Sequence, residues 1–234
     1  MEIRCVWEHN GSDSLLYCEN LIGAYTRGES REAALAKMPG EISDYLAWRG
    51  AALPDELEVA VTQEKSSALN VRDADSDVIF ESERPPMALA EYEALETLAL
   101  RSAADFLELY QSVPQKDKSV LAPRETFYGA IPRTAEEMYQ HTKNVNSYYF
   151  GELGVDADNE DTILDCRRRG FACLRAVPGF LERPPVVGSY DEEWSLRKLL
   201  RRFLWHDRIH AKAMWRMAER TFGAGSVPNP FRFG

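Results

Sequence analysis

Short stretches of alternating apolar and polar positions characterise the first part of the chain. Ile3, Cys5 and Trp7 alternate with polar neighbours, and residues 15–18 form a second short apolar run. A period of two residues predicts β-strands, and the Asn10-Gly11 dipeptide between the two runs predicts the turn of a hairpin. Two further apolar runs predict additional strands at residues 57–61 and 78–80.

One amphipathic helix is predicted within this first part. Ser30 is a residue type that caps helix N-termini, and Glu32 places a negative charge in the first turn. Apolar side chains of residues 33–46 then fall roughly on one face, although Pro39-Gly40 predicts a kink or an interruption. Together with the strands, this helix predicts a small α+β domain over residues 1–84.

The period of the apolar positions changes to three and four residues after the Pro85-Pro86 pair. Four helices are predicted, at residues 87–112, 134–151, 159–181 and 190–222. Thr134 and Glu137 form a capping-box pattern at the start of the second helix, and Gly223 is a typical C-cap after the fourth. Because each helix carries an apolar stripe, the pattern predicts an all-α four-helix bundle over residues 85–234.

Three histidines occupy inward positions of this predicted bundle. His206 and His210 lie one turn apart in an otherwise apolar stripe of the fourth helix, and His141 lies in the matching stripe of the second helix. A buried imidazole needs partners for both ring nitrogens, and neither stripe contains a carboxylate. A divalent metal ion would take one nitrogen from each ring and leave coordination positions open, as catalytic sites do. The pattern therefore predicts a metal site, whereas His9, beside a turn, has no predicted role.

Two segments that contain these histidines resemble the DinB/YfiT-like family of metal-dependent bundle proteins. They are residues 134–141, TAEEMYQH, and residues 194–210, WSLRKLLRRFLWHDRIH. The resemblance covers roughly residues 86–223 and implies one ligand histidine on the second helix, His141, and an H-x-x-x-H pair on the fourth, His206 and His210. It also implies a divalent ion such as zinc, nickel or manganese, with water completing the coordination shell. Some members of the family are thiol-dependent transferases or isomerases.

A segment of the N-terminal part, residues 23–35 with the sequence GAYTRGESREAAL, resembles the turn-into-helix region of HicB-like domains. The chain has no separate ribbon-helix-helix segment of the kind that many HicB antitoxins use to bind DNA. Its formal net charge of −10 is also opposite in sign to a nucleic-acid-binding surface. No nucleic-acid partner is therefore expected, and the resemblance to the DinB/YfiT-like family implies no role for this part.

Three functions are compatible with the predicted metal site. The first is a metal-dependent thiol (S-)transferase or isomerase that acts on a small molecule, because an open metal position can bind a thiol and lower its pKa. The second is a non-catalytic binding or regulatory protein with a structural or sensory metal. The third is a metalloprotease, because the segment from His206 to His210 differs by one residue from H-E-x-x-H. Asp207 would then replace the general base, and Glu219 is the only downstream carboxylate.

Other reactive side chains of the predicted bundle have two interpretations each. Five basic residues of the fourth helix would either attract an anionic low-molecular-weight thiol or form a solvated face paired with acids: Arg197, Lys198, Arg201, Arg202 and Arg208. Cys166 and Cys173 are separated by about 10 Å along the third helix, which is too far for a disulfide. They are therefore predicted to fill small apolar spaces in the core.

Composition places the chain among ordinary globular proteins. Hydrophobic residues make up 44% and charged residues 28% of its 234 positions. No signal peptide or membrane-spanning apolar run is visible, and four cysteines do not form a secreted disulfide framework, so a cytoplasmic protein is predicted. Glycine-rich phosphate loops and the G-x-S-x-G and C-x-x-C motifs are absent. Because bundles of this kind often pair through exposed apolar helix faces, a homodimer is a further expectation.

Overall fold

A computed structural model describes residues 1–11, 13–126 and 129–234. Its strands are β1 (Glu2–His9), β2 (Ser14–Cys18), β3 (Tyr25–Gly28), β4 (Glu58–Ser66), β5 (Glu125–Thr126), β6 (Gly129–Ala130), β7 (Val186–Val187) and β8 (Glu193–Trp194). Its α-helices are α1 (Arg31–Arg49), α2 (Leu89–Ser112), α3 (Ala135–Glu152), α4 (Ile163–Arg175) and α5 (Leu196–Phe222). Short 3-10 turns occur at Val71–Asp73, Glu81–Glu83 and Ser189–Asp191.

The first four strands form one sheet in the order β3-β2-β1-β4. β1 pairs antiparallel with β2 and parallel with β4, while β2 pairs antiparallel with β3. The predicted hairpin is therefore present, and Ile3 and Cys5 face the core together with Met38 of α1. The strand expected at residues 78–80 is absent, because this stretch is irregular chain that packs Val78 and Phe80 into a second apolar cluster.

α1 continues through Pro39, where the sequence pattern predicts a kink or an interruption. The Ser30 hydroxyl accepts a hydrogen bond from the Ala33 N–H at 3.2 Å, which caps the start of the helix. Gly50 ends it in the left-handed conformation, with a φ of 69°. Pro39 lies on the exposed side of the helix, so solvent can reach the backbone group that the missing proline N–H leaves without a partner.

Side-chain caps begin α3, α4 and α5, whereas Ala88 before α2 makes no such hydrogen bond. Thr134 accepts a hydrogen bond from the Glu137 N–H at 3.1 Å, and Ser195 accepts one from the Lys198 N–H at 3.2 Å. α4 is shorter than predicted because Asn159, at its expected start, instead donates its side-chain amide to Ser147 of α3 at 2.7 Å. Within the described ranges, no helix is long and apolar enough to cross a membrane.

The all-α four-helix bundle predicted for residues 85–234 is wrong. The chain has a mixed α/β fold, with five α-helices in its described residues and a four-stranded sheet in its N-terminal part. Beyond residue 84, two short strand pairs also lie in the connections between helices: β5–β6 between α2 and α3, and β7–β8 between α4 and α5. Moreover, α5 buries 16 of its 27 residues rather than the single stripe of a surface bundle helix.

A second buried face of α5 explains this error. Trp205 lies on that face and packs edge-on against Tyr17 and Tyr25 of the sheet, with ring centroids 5.6 and 6.2 Å apart. Arg201 and Arg208 are also buried there. A prediction from apolar positions treats long charged side chains as solvent-exposed. The apolar positions of α5 therefore predict only the face that packs against α2 and α3.

The main apolar core contains side chains from both predicted parts of the chain. Trp48 near the end of α1 shows this continuity, because its ring stacks on Phe231 with centroids 5.4 Å apart. Its indole N–H also donates to Asp105 of α2 at 2.6 Å. The division into domains 1–84 and 85–234 stays a prediction, but the helices that carry the histidines share their core with the N-terminal sheet and α1.

Candidate metal centre

The three histidines lie where α3 and α5 face each other. His141 is in the second turn of α3, and the neighbouring Tyr139 stacks on Tyr110 of α2 with 3.9 Å between ring centroids. His206 and His210 lie one turn apart in the middle of α5, so their side chains leave the helix on the same side. Two packed helices therefore bring together the residues that the sequence predicts as ligands.

The ring nitrogens are close enough to share one ion. One ligand atom from each histidine lies within 4.8 Å of the other two. Nε2 of His206 is 3.2 Å from Nε2 of His141, and His210 completes a triangle, with its ring centroid 4.6 Å from that of His141 and 4.5 Å from that of His206. Metal–nitrogen bonds of 2.0–2.1 Å in a tetrahedral site separate neighbouring ligand nitrogens by about 3.4 Å. The spacing of His141 and His206 is close to that value.

The centre is covered on the α5 side and open on the α3 side. His206 is 8% exposed and His210 is half-buried, whereas His141 is exposed to solvent. The ring of Tyr149 covers His206, with 6.0 Å between the two centroids. An exposed ligand beside two covered ones leaves a side on which water or a small molecule can approach.

Burial keeps the three rings uncharged. It lowers the pKa of His206 well below its usual value, and the neighbouring His210 and His141 lower that pKa further. Although part of its side chain is exposed to solvent, partial burial of the ring also lowers the pKa of His141, and burial together with His141 and Arg27 lowers the pKa of His210 to about 3. At neutral pH each ring therefore has a nitrogen lone pair available for a metal ion.

Hydrogen bonding alone satisfies these rings incompletely. Because Nε2 of His206 faces Nε2 of His141, only one of the two can donate a hydrogen bond to the other. Nδ1 of His206 is buried without a hydrogen-bond partner among the described residues. A cation would be bound by the lone pairs of both facing nitrogens, so neither nitrogen would have to donate a hydrogen bond to the other. The three rings therefore fit a metal site. The Nδ1 N–H of His206 would still lack the hydrogen-bond acceptor that orients many metal-bound histidines.

Asp207 and Glu219 do not join the centre. Both carboxylate oxygens of Asp207 accept hydrogen bonds from Arg167, at 3.3 and 3.2 Å, and both side chains are fully buried. Glu219 accepts the backbone N–H of Gly225 beyond the end of α5. In the described part of the chain, the group able to hold a metal consists of the three histidines alone. Neither carboxylate occupies the position that the metalloprotease hypothesis requires.

The basic residues of α5 form ion pairs with acids from other elements. The pairs are Arg201–Glu83 (2.5 Å), Arg208–Glu41 (2.6 Å), Arg202–Glu192 (2.9 Å), Lys198–Glu192 (2.9 Å) and Arg197–Glu91 (2.6 Å). All of these basic residues except Arg197 are buried. They hold the fold together rather than forming a solvated face. The burial of one of these acids could have been predicted from the sequence. Glu41 lies at helical spacing from Ala34 and Met38, so it falls on the buried face of α1.

No match is found when the chain is compared with protein-family models, with curated proteins and with solved structures. The resemblance of residues 134–141 and 194–210 to the DinB/YfiT-like family therefore stays a prediction. The same is true of the resemblance of residues 23–35 to HicB-like domains. The functional argument depends on the geometry of the histidine centre itself.

Proposed function

We propose that the protein binds one divalent metal ion, such as zinc, nickel or manganese, through His141, His206 and His210. The observation that carries this proposal is the convergence of three neutral imidazoles whose ligand atoms lie within 4.8 Å of one another. Because burial keeps the pKa of each ring low, no proton has to leave the centre before a metal binds at neutral pH. Three nitrogen ligands also leave room for water or a substrate.

We further propose that this centre belongs to a metal-dependent thiol (S-)transferase or isomerase that acts on a small molecule. A divalent cation with an open position can bind a thiol and lower its pKa. His206 and His210 would fix the ion against the rigid α5, while the exposed His141 borders the side from which a small molecule enters. Tyr149, whose ring lies 6.0 Å from that of His206, would border the space that a small substrate enters.

Metal titration tests the first part of this proposal. Wild-type protein is stripped with a chelator and titrated with zinc, nickel and manganese in competition with a chromogenic chelator. We expect one equivalent to bind, and His206→Ala or His210→Ala to weaken binding by more than about 100-fold. His9→Ala is the matched control, because His9 stacks on Trp7 in the sheet, away from the centre. Binding that survives in both site variants would contradict the proposal.

A structural or sensory metal is the alternative, and chelation distinguishes the two. Leu199 and Phe203 before the histidines and Met214 after them are buried, so apolar packing holds α5 on both sides of the centre. We therefore expect the metal-free protein to keep its circular dichroism spectrum and a cooperative thermal transition. Loss of folded structure on chelation would favour a structural metal instead.

An activity assay tests the second part of the proposal. Metal-loaded protein is supplied with several low-molecular-weight thiols and small electrophiles, and consumption of the thiol is followed. We expect turnover by the wild type that is lost on chelation and restored by the metal, and no turnover by His206→Ala. Absence of turnover in protein with a confirmed metal would contradict the transferase and leave the metal proposal intact.

A further inference from the structure

Two cysteines face each other across the first two strands of the sheet. Cys5 of β1 is directly opposite Cys18 of β2 in the antiparallel pairing. Opposite residues of an antiparallel pair point to the same side of the sheet. Both side chains are 0% exposed and lie in the main core, and the Cys18 sulfur is 3.4 Å from the sulfur of Met38.

Backbone hydrogen bonds show which type of pair these cysteines form. The Cys18 N–H donates to the Ala24 carbonyl at 2.9 Å, on the β3 side, and the Cys5 carbonyl accepts from the Thr62 hydroxyl of β4 at 3.2 Å. The two residues thus direct their backbone groups away from each other. In the next position along the ladder, the Glu19 N–H does donate across to β1. Cys5 and Cys18 are therefore a non-hydrogen-bonded pair, in which the Cα atoms lie about 4.5 Å apart and the side chains are closest.

We propose that Cys5 and Cys18 are a redox-active dithiol that closes to a disulfide across β1 and β2. Disulfides require Cα atoms between about 4.4 and 6.8 Å apart, and a non-hydrogen-bonded antiparallel pair meets this condition without movement of the backbone. The structure contains both residues in the reduced form. The disulfide would join the two central strands of the sheet β3-β2-β1-β4 covalently.

A low-molecular-weight disulfide is the oxidant in this reaction. The thiolate of one cysteine attacks a sulfur of the oxidant, which forms a mixed disulfide and releases one thiol. The second cysteine then loses its proton and attacks the protein sulfur of the mixed disulfide, which releases the second thiol. Two protein thiols are oxidised, one small disulfide is reduced to two thiols, and no further reagent is needed.

Burial of Cys5 and Cys18 makes formation of the disulfide slow and protects the disulfide from reduction. The adjacent Cys5 thiol and burial raise the pKa of Cys18 well above its usual value, so little thiolate exists at neutral pH. The oxidant can reach either sulfur only when β1 and β2 separate locally, and the same barrier shields the finished disulfide from reductants. Cys173 of α4 is instead exposed, contrary to its predicted place in the core, and would react first with any added disulfide.

Mass spectrometry of oxidised protein tests the proposal. Cys173→Ser protein is incubated with glutathione disulfide, unreacted thiols are alkylated in denaturant, and the intact mass and tryptic peptides are measured. We expect a loss of about 2 Da, the mass of two hydrogen atoms, in the intact protein and in the tryptic peptide of residues 5–27, which contains both Cys5 and Cys18, with neither cysteine alkylated. Oxidation should be faster at higher pH, and the oxidised protein should unfold at a higher temperature than the reduced protein.

Two variants in the same background serve as controls. Cys173→Ser with Cys166→Ser should still lose two hydrogen atoms, because Cys166 is buried in α4 and takes no part in the pair. Cys173→Ser with Cys18→Ser should not form the cross-link. If the parent protein forms no Cys5–Cys18 link even when mild denaturant opens the sheet, or if the link joins Cys166 instead, the proposal is wrong. In wild-type protein the tryptic peptide of residues 5–27 reports the same loss whether or not Cys173 has reacted, so a poorly folding variant would not prevent the decision.

Discussion

At the scale of single residues, one glycine sets the position of the helix that carries His141. A Cβ atom added to Gly170 of α4 would lie 2.1 Å from the ring of Phe150 in α3. Phe150 in turn packs against Phe203 of α5, with ring centroids 5.2 Å apart. The distance between the helices that hold the histidines therefore depends on the absence of a side chain at position 170.

Gly170→Ala is expected to destabilise the protein by about 1–3 kcal/mol, because the added methyl group overpacks the contact with Phe150. Gly151→Ala is the matched control, since Gly151 is also helical and has open space around its Cβ position. That change should be neutral or stabilise the protein by up to about 1 kcal/mol. Chemical denaturation of the three proteins measures both effects, and equal losses in the two variants would contradict the packing argument.

Asp207→Asn is expected to lower the free energy of unfolding by about 3–5 kcal/mol, because it leaves the fully buried Arg167 without its counter-ion. Asp161→Asn removes a carboxylate that is 68% exposed and pairs with Arg169, so it should cost less than about 1 kcal/mol. Urea unfolding compares the two variants. If the folded Asp207→Asn protein lost its metal as fully as His206→Ala does, Asp207 would belong to the centre and the assignment of its role to the fold would be wrong.

At the scale of elements, the sequence predicts what depends on local chemistry. The capping box at Thr134 and the three-four spacing of His206 and His210 are local, so the start of α3 and the common face of the two histidines could be predicted. The second buried face of α5 could not, because Arg201 is buried by a partner, Glu83, that is distant in sequence. The strand pairs β5–β6 and β7–β8 are only two residues long, which is too short for a period.

Arg201→Ala is expected to destabilise the protein by about 3–5 kcal/mol, since Glu83 would remain buried as an unpaired charge beneath α5. Arg220→Ala removes an exposed arginine from the last turn of the same helix and should change stability by less than about 1 kcal/mol. Thermal and urea unfolding give the comparison. A small loss for Arg201→Ala, similar to that for Arg220→Ala, would show that the sheet-facing side of α5 is more open to water than the structure indicates.

At the scale of the whole molecule, α5 joins every packed layer. It packs against α2 and α3 on one side, against the sheet through Trp205, and against α1 through the Arg208–Glu41 ion pair. A change in charge in the middle of α5 therefore acts on the stability of the complete fold. Histidines take up a proton at about pH 6.5 in the unfolded chain, whereas burial lowers the pKa of His206 and His210 in the folded protein, so the metal-free protein should respond strongly to mild acid.

The sign of that response follows from the lowered pKa values of the histidines. Near pH 7.5 the rings are neutral in the folded and unfolded chains, and they contribute no pH dependence. Below about pH 6.5 an unfolded histidine takes up a proton while His206 and His210 in the folded protein do not, so each of these two rings lowers the free energy of unfolding by about 1.4 kcal/mol per pH unit. For His210 the loss continues until the pH approaches its folded pKa of about 3.

Urea denaturation of chelator-treated protein at pH 7.5, 6.5 and 5.5 measures this slope. His210→Leu should reduce the loss between pH 6.5 and 5.5 by about 1 kcal/mol, the contribution of one ring whose unfolded pKa is about 6.5. Saturating metal should move the loss to lower pH, because only the neutral rings of the folded protein hold the ion. The same slope in His210→Leu and in the wild type would mean that His210 takes up a proton as readily in the folded protein as in the unfolded chain, which would contradict the low pKa of this ring.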